Sequence, residues 1–289
     1  MATEKRSAKS TINMGFIGYG MQGRTALVRH FIKHEGVVIK SICDCDKVRR
    51  EAGAEAVNEY YRANKKSKLA KCKAVADFRD VIADKEIDAV CIATPDHWHA
   101  YMCCAAMKAG KDVYCEKPLT YSVEESVLVM KAQKKYKRIF QTGSMQRSWR
   151  EFRTACMIVR NGFIGDVQYV DCNYGNASAQ DNTDYLRFHE NLGGPSMPHR
   201  FFCQWNGETN QFQSIAIESA PNPDVDWDMW LGPAPWSPYS DQCSPRGITK
   251  FYPMFWRLDD NYATGYNGDW VPTIWTSRSG GLTLTRQVL

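Results

Sequence analysis

No apolar run in this chain approaches the roughly 18 residues that a membrane-crossing helix needs, so no membrane span is expected among its 289 residues. The opening stretch Met1 to Thr11 is polar and has no hydrophobic signal-peptide core. The expected location is therefore cytoplasmic, and a periplasmic one would require a leader removed upstream of Met1. Also missing is any C-x-x-C pair, and the eleven cysteines are odd in number and irregular in spacing, which argues against zinc and against a disulfide framework. Reduced thiols acting as small core residues in a reducing compartment fit better. The formal charge of +5 is dispersed, and its densest runs, "NKKSKLAKCK" (64–73) and "KAQKKYKR" (131–138), come with no aromatic platform or nucleic-acid motif. They read as solvated helix faces and loops, and no nucleic-acid partner is expected.

At 289 residues and 44% hydrophobic, the chain can bury a full core and is long enough for two domains. Its first half alternates short apolar runs with helical patterns, the pattern of a parallel sheet with crossover helices. Strands are predicted at 13–18, 36–43, 87–94, 111–117 and 138–143, with helices near 21–33, 46–63, 99–109 and 122–136. Ser122 followed three residues later by Glu125 predicts a capping box on the last of these helices. The fold class is thus α/β, a doubly wound Rossmann sheet. A helix near 150–161 and a strand at 166–175 come next, before a long irregular stretch at 176–262 rich in Asn, Gly, Pro and Trp. Such a stretch points to binding loops or missing partners. Eight of the nine Trp residues lie at or beyond position 149, which suits sugar recognition because indole faces pack on pyranose C–H surfaces, although any single Trp is as readily an ordinary core residue.

"GFIGYGMQG" sets Gly18, Gly20 and Gly23 in G-x-G-x-x-G register between a strand and a helix. That context predicts a tight turn at Gly18, close backbone approach by a pyrophosphate at Gly20, and a diphosphate on a helix N-terminus opened by Met21 and Gln22. Asp44 ends the second strand in "SICDCD", where a carboxylate can accept from both ribose hydroxyls of NAD. No cation follows it immediately, which favours NAD over NADP, while Lys47, Arg49 and Arg50 keep the phosphorylated cofactor in play. Asp44 read simply as a helix cap is the alternative. "ATPDHWHA" (93–100) brings Thr94, Pro95, His97 and His99 to one strand end, and "CEKP" (115–118) brings Glu116 and Lys117 to the next. Open parallel sheets bind ligands at such ends. Lys117 there could exchange a proton with a substrate hydroxyl, or be a surface lysine before a turn. No Cys, Asp or Glu completes a metal set around the two histidines, so no metal is expected.

Over about residues 12–270 the chain resembles the glucose-fructose oxidoreductase and inositol dehydrogenase family. "GFIGYGMQGR", "CIATPDHWHA", "GKDVYCEKPLT" and "RNGFIGDVQYV" stand in that family's order, and "DWDMWLGPAPWSPY" (226–239) resembles a sugar-related subgroup. The resemblance implies an NAD-binding Rossmann domain (1–145) and an α/β open-sheet domain for substrate and oligomerisation, here partial (146–270), with a homo-oligomer in the intact form. It implies hydride transfer between nicotinamide and a sugar or cyclitol, with Lys117 at the reacting oxygen. A side branch of the family cleaves glycosides with retained NAD. Gln146, Arg147, His189 and His199 are candidate substrate contacts. A non-catalytic NAD-binding protein is the remaining alternative.

The family's second catalytic element reads Asp-x-x-x-His. Asp269 and Trp270 match its start, but position 273 is Thr273. One G inserted after the Trp270 codon forces Gly next and Asp from Trp275 and Thr276, and permits Ala-His-His-Leu between them. Residues 271–289 are therefore expected to be an out-of-frame tail, with weak or absent turnover in this chain.

Overall fold

The computed structural model describes residues 11–64, 71–169, 203–206, 211–214, 218–248, 255–259 and 261–264. Its centre is a sheet of six strands, β1 (Ile12–Ile17), β2 (Val37–Cys43), β3 (Lys73–Val75), β4 (Ala89–Ile92), β5 (Asp112–Cys115) and β6 (Phe140–Thr142). They run in the order β3-β2-β1-β4-β5-β6, and each neighbouring pair is parallel. The strand order reverses between β1 and β4, which creates the crevice where sheets of this kind take ligands. Five strands lie where the hydrophobic pattern predicts them. The sixth, β3, is only "KAV", too short to alternate.

Both faces of the sheet are covered. Alternate residues of β1 and β4 feed opposite cores: Ile17, Val90 and Ile92 pack with Phe78, Ala106, Met107 and Val129, whereas Phe16 and Cys91 pack with Leu27, Val57 and Tyr61. The two-residue period of a strand dictates this division, and full coverage explains why the strands read as nearly continuous apolar runs. The covering helices are α1, whose π-helical segment Gly23–Val28 continues as Arg29–Phe31, α2 (Lys47–Ala63), α3 (Phe78–Ala83), α4 (His99–Lys108) and α5 (Val123–Tyr136). Ser122 caps α5 by accepting from Glu125 N at 3.3 Å, and the Glu125 carboxylate reaches back to Tyr121 N at 2.7 Å, one residue earlier than a standard capping box. Asp46 accepts from Arg49 N at 3.1 Å and caps α2. The cap is thus Asp46 rather than Asp44.

Past β6 the chain forms α6 (Arg150–Arg160), which buries none of its residues. Residues 166–169, the described part of the strand predicted at 166–175, are not in a strand. The stretch read as irregular contains an antiparallel pair, β7 (Cys203–Asn206) and β8 (Gln211–Ser214), and a short helix α7 (Trp227–Leu231). Around α7 sits a third core of Trp230, Leu231, Cys243, Trp256, Tyr262 and Ala263, with Trp227 packed against it. Trp227 stacks on Trp230 with centroids 4.6 Å apart. These three Trp residues are therefore core, while Trp149 and Trp236 are exposed. No described helix is long and apolar enough to cross a membrane, and each cysteine with a described side chain is a free thiol.

Candidate functional site

The glycine loop joins β1 to α1. Gly18 has φ +94° and donates its N–H to Cys43 O at 2.8 Å; a Cβ on it would meet Ala93 O at 2.5 Å. At Gly23 a Cβ would run into Gly18 O. Both positions are closed by the protein's own backbone. Gly20 differs, since a Cβ there meets nothing within 4 Å. The open space lies ahead of Met21, Gln22 and Gly23, which begin a helix whose first amides have no partner within it.

Asp44 is buried just beyond β2. Its Oδ2 accepts from Tyr19 N at 2.7 Å and its Oδ1 from Asp46 N at 2.9 Å. One carboxylate thus ties the glycine loop to the β2–α2 turn. The Cys45 thiol also donates to Oδ1 at 3.8 Å, and Oδ2 keeps a second acceptor position, which suits a ribose hydroxyl. Of the three cations that follow it, Lys47 is exposed, Arg50 donates to the Asp44 and Cys45 carbonyls at 3.3 Å each, and Arg49 donates to the carbonyls of Pro245 and Gly247. Replacing Asp44 with alanine is expected to strand two backbone donors and cost ~2–4 kcal/mol of stability. NAD affinity should fall at least about tenfold if a ribose bond to the charged carboxylate is lost as well. Denaturation curves and NAD titration of the variant check both.

β4 and β5 deliver the other groups. After β4 a 3₁₀ turn, Asp96–Trp98, leads into α4. His99 is almost fully buried, with Nδ1 2.6 Å from Pro118 O and Nε2 2.9 Å from Thr94 O. Carbonyls only accept and a neutral imidazole carries one N–H, so the tautomer decides which of the two contacts is the hydrogen bond. His99 thereby staples the Thr94–Pro95 loop to the Glu116–Lys117–Pro118 loop, a positioning role that residue spacing does not reveal. His97 lies under α7, with Nε2 3.1 Å from Trp230 O and its ring near those of Trp230 and Tyr262. Nδ1 is buried without a hydrogen-bond partner. Burial pushes its imidazole down to about 4, against the pull of the Trp230 and Tyr262 backbone bonds.

Glu116 is buried, and its Oε1 accepts from Gln22 Nε2 at 3.3 Å, joining the glycine loop to the end of β5. Its Oε2 accepts from Lys117 N at 3.2 Å. Lys117 is half-buried and precedes a cis peptide to Pro118. Gly143, after β6, lies so close that a Cβ would touch Tyr114 Oη at 2.9 Å and Glu116 Oε1 at 3.0 Å. Gln146 follows in the 3₁₀ turn Met145–Ser148, where Met145 Sδ accepts from Gln22 at 3.7 Å. Arg147 in the same turn is exposed. The structure therefore gathers Gly18, Gly20, Met21, Gln22, Gly23, Asp44, Thr94, Pro95, His99, Glu116 and Lys117 along one sheet edge, with Gln146 adjacent, and sets His97 beneath α7. His189, His199 and Asp269 lie outside the described residues.

Sequence reasoning missed the segment around α7 as part of this edge. Asp46 forms an antiparallel bridge with Val225, Lys47 N donates to Asp224 O at 2.7 Å, and Asp226 N donates to Cys45 O at 3.2 Å. Trp98 Nε1 also donates to Trp230 O, at 3.0 Å. Its one signal was the Trp-rich "DWDMWLGPAPWSPY", whose partner in the first half no local pattern names. An open cradle at Gly20, a helix that begins just beyond it and a buried carboxylate one strand away fit a dinucleotide.

Comparison with known proteins agrees. Residues 12–144 match the model of an oxidoreductase family described as having an NAD-binding Rossmann fold. An inositol 2-dehydrogenase of Salmonella paratyphi B is 32% identical over 169 residues, covering 58% of this chain and 47% of its own length. A glycosyl hydrolase family 109 protein of Shewanella woodyi is 33% identical over 170 residues, covering 57% and 34%. Among solved structures, the myo-inositol 2-dehydrogenase from Lactobacillus plantarum is 31% identical over 54% of this chain and 43% of its own, with a TM-score of 0.45. The chain spans about half the length of the inositol 2-dehydrogenase relatives it matches. Residues 12–144 of this chain therefore match the domain of the GFO/IDH/MocA oxidoreductase family, which is described as an NAD-binding Rossmann fold.

Proposed function

We propose that the chain derives from an NAD-dependent oxidoreductase that transfers hydride to or from a hydroxyl-bearing carbon of a sugar or cyclitol. The observation that supports this most is the convergence of Asp44, Gly20, Glu116 and Lys117 on one edge of the parallel sheet, in a family domain whose relatives include inositol 2-dehydrogenases. Bound NAD supplies the hydride acceptor. The residues of the chain do the rest: the helix-start amides hold the diphosphate, Asp44 holds the ribose, and Glu116 and His99 fix the loop from which Lys117 takes the proton of the reacting hydroxyl. An NAD-retaining glycosidase is the second reading, favoured by the family 109 relative.

The test begins with titration of the purified 289-residue chain with NAD, followed by nicotinamide absorbance with a panel of sugars and inositols. A chromogenic glycoside without added oxidant is assayed in parallel. The same panel is run on a version with one G added after the Trp270 codon, because that frame permits a histidine at position 273, where this chain has Thr273. Saturable binding by the first and cyclitol- or sugar-dependent NAD reduction by the second is the expected result. Glycoside cleavage without net NAD consumption selects the second reading. Failure of either protein to bind NAD overturns both.

A further inference from the structure

We infer that residues 243–247 act as a latch that holds the Arg49 guanidinium away from the dinucleotide, and that this latch sets the preference for NAD over NADP. This rests on the dinucleotide reading of the site. Arg49 sits on the first turn of α2, two residues from the fixed turn that carries Asp44. Asp46 connects the two, since its N–H donates to Asp44 Oδ1 at 2.9 Å and its carboxylate lies 3.4 Å from Arg49 Nε. A planar guanidinium on the turn that follows the ribose carboxylate is the group best suited to grip a 2′-phosphate in a forked pair of bonds.

In this chain the fork points elsewhere. Arg49 Nε donates to Gly247 O at 3.2 Å and its terminal nitrogen donates to Pro245 O. The Arg49 side chain is 12% exposed and that of Asp46 is 1% exposed, so the guanidinium is packed in place rather than resting on the surface. The acceptor loop is itself anchored: Tyr239 Oη donates to Ser244 O at 2.8 Å, Cys243 N donates to Ser240 O at 3.1 Å, and both Cys243 and Ser244 are buried. Arg50 also spends its Nη1 on the carbonyls of Asp44 and Cys45. Arg49 is not free for a phosphate until the loop moves. Local sequence around Asp44 cannot register this, because the acceptors lie 196 and 198 residues along the chain.

The test is a binding cycle on the full chain. Gly247 has φ +65°, a conformation that a β-branched residue holds only under strain, so Gly247→Val should displace the two carbonyls. Dissociation constants for NAD and NADP are measured for wild type, Gly247→Val, Arg49→Gln and the double variant. Wild type should bind NAD at least about tenfold more tightly than NADP, a gap of ~1.4 kcal/mol. Gly247→Val should close most of that gap by tightening NADP, with NAD changed less than about threefold, and adding Arg49→Gln should reopen it. Arg49→Gln alone should leave NADP affinity where it was. If Gly247→Val does not fold, as judged by lost NAD binding, the Arg49→Gln comparison still decides. Weaker NADP binding in Arg49→Gln alone overturns the latch, as does a Gly247→Val gain that survives removal of Arg49 or equal wild-type affinities. Absence of any dinucleotide binding overturns the cofactor reading itself.

Discussion

Replacing Gly20 with alanine is expected to leave the melting temperature nearly unchanged while weakening NAD binding at least about tenfold, ~1.4 kcal/mol or more. The same change at Gly18 or Gly23 should damage the fold. At Gly20 an added Cβ has no protein atom within 4 Å, so the free protein accommodates it. Only a ligand brought against the loop backbone would meet the new methyl group. At Gly18 the Cβ meets a carbonyl at the end of β4 and the residue sits at φ +94°; at Gly23 it meets the loop's own carbonyl. Backbone that is paired into the sheet cannot retreat as a side-chain tip can, and a positive φ alone costs ~1–3 kcal/mol. Thermal unfolding with NAD titration for the three variants separates the roles. Loss of stability in Gly20→Ala equal to that in Gly18→Ala would show that the open cradle is not open.

Acidification should release the segment around α7 from the Rossmann sheet. His97 is held neutral by burial, with its affinity for protons lowered from 6.5 to about 4. Between about pH 6.5 and pH 4 the unfolded chain therefore binds a proton that the folded chain does not. Stability falls as pH drops through that window, by ~3 kcal/mol when it is fully crossed. Above it the contribution is constant. Protonation in place is disfavoured because Nε2 already donates to Trp230 O, and the incoming proton would have to go to Nδ1, which is buried among aromatic rings without a hydrogen-bond partner. Urea unfolding of wild type and His97→Gln across this range tests the point. The variant should be less stable at neutral pH and should have a flatter acid limb, and parallel profiles would remove His97 as the cause.

Much of the site was legible in advance because nucleotide cradles are local. A glycine at φ +94° and another whose Cβ would meet no protein atom stand at fixed spacing between a strand and a helix. Asp44 was legible because strand ends in a parallel sheet are brought to one edge by the topology. The role of His99 was not, because its two carbonyl partners, at Thr94 and Pro118, meet only after β4 and β5 have paired. Nor was the fate of the aromatic residues. Trp227, Trp230 and Trp256 carry no local mark that distinguishes a sugar platform from a core, and only their packing with Tyr262 and Cys243 makes them core.

The sequence by itself determined the parallel sheet, its crossover helices and the tight glycine turn between β1 and α1, because strand alternation, helix caps and glycine conformations are properties of a few consecutive residues. Tertiary structure alone decided which charges remain available beside that turn. Arg49 looks like a phosphate ligand from its neighbours in the chain, and becomes a structural donor because the folded chain brings the carbonyls of Pro245 and Gly247 against it. A hydrogen bond between groups nearly two hundred residues apart leaves no periodicity in either segment. It forms because the sheet and the Trp-rich core meet at the β2–α2 turn, where buried donors must find acceptors.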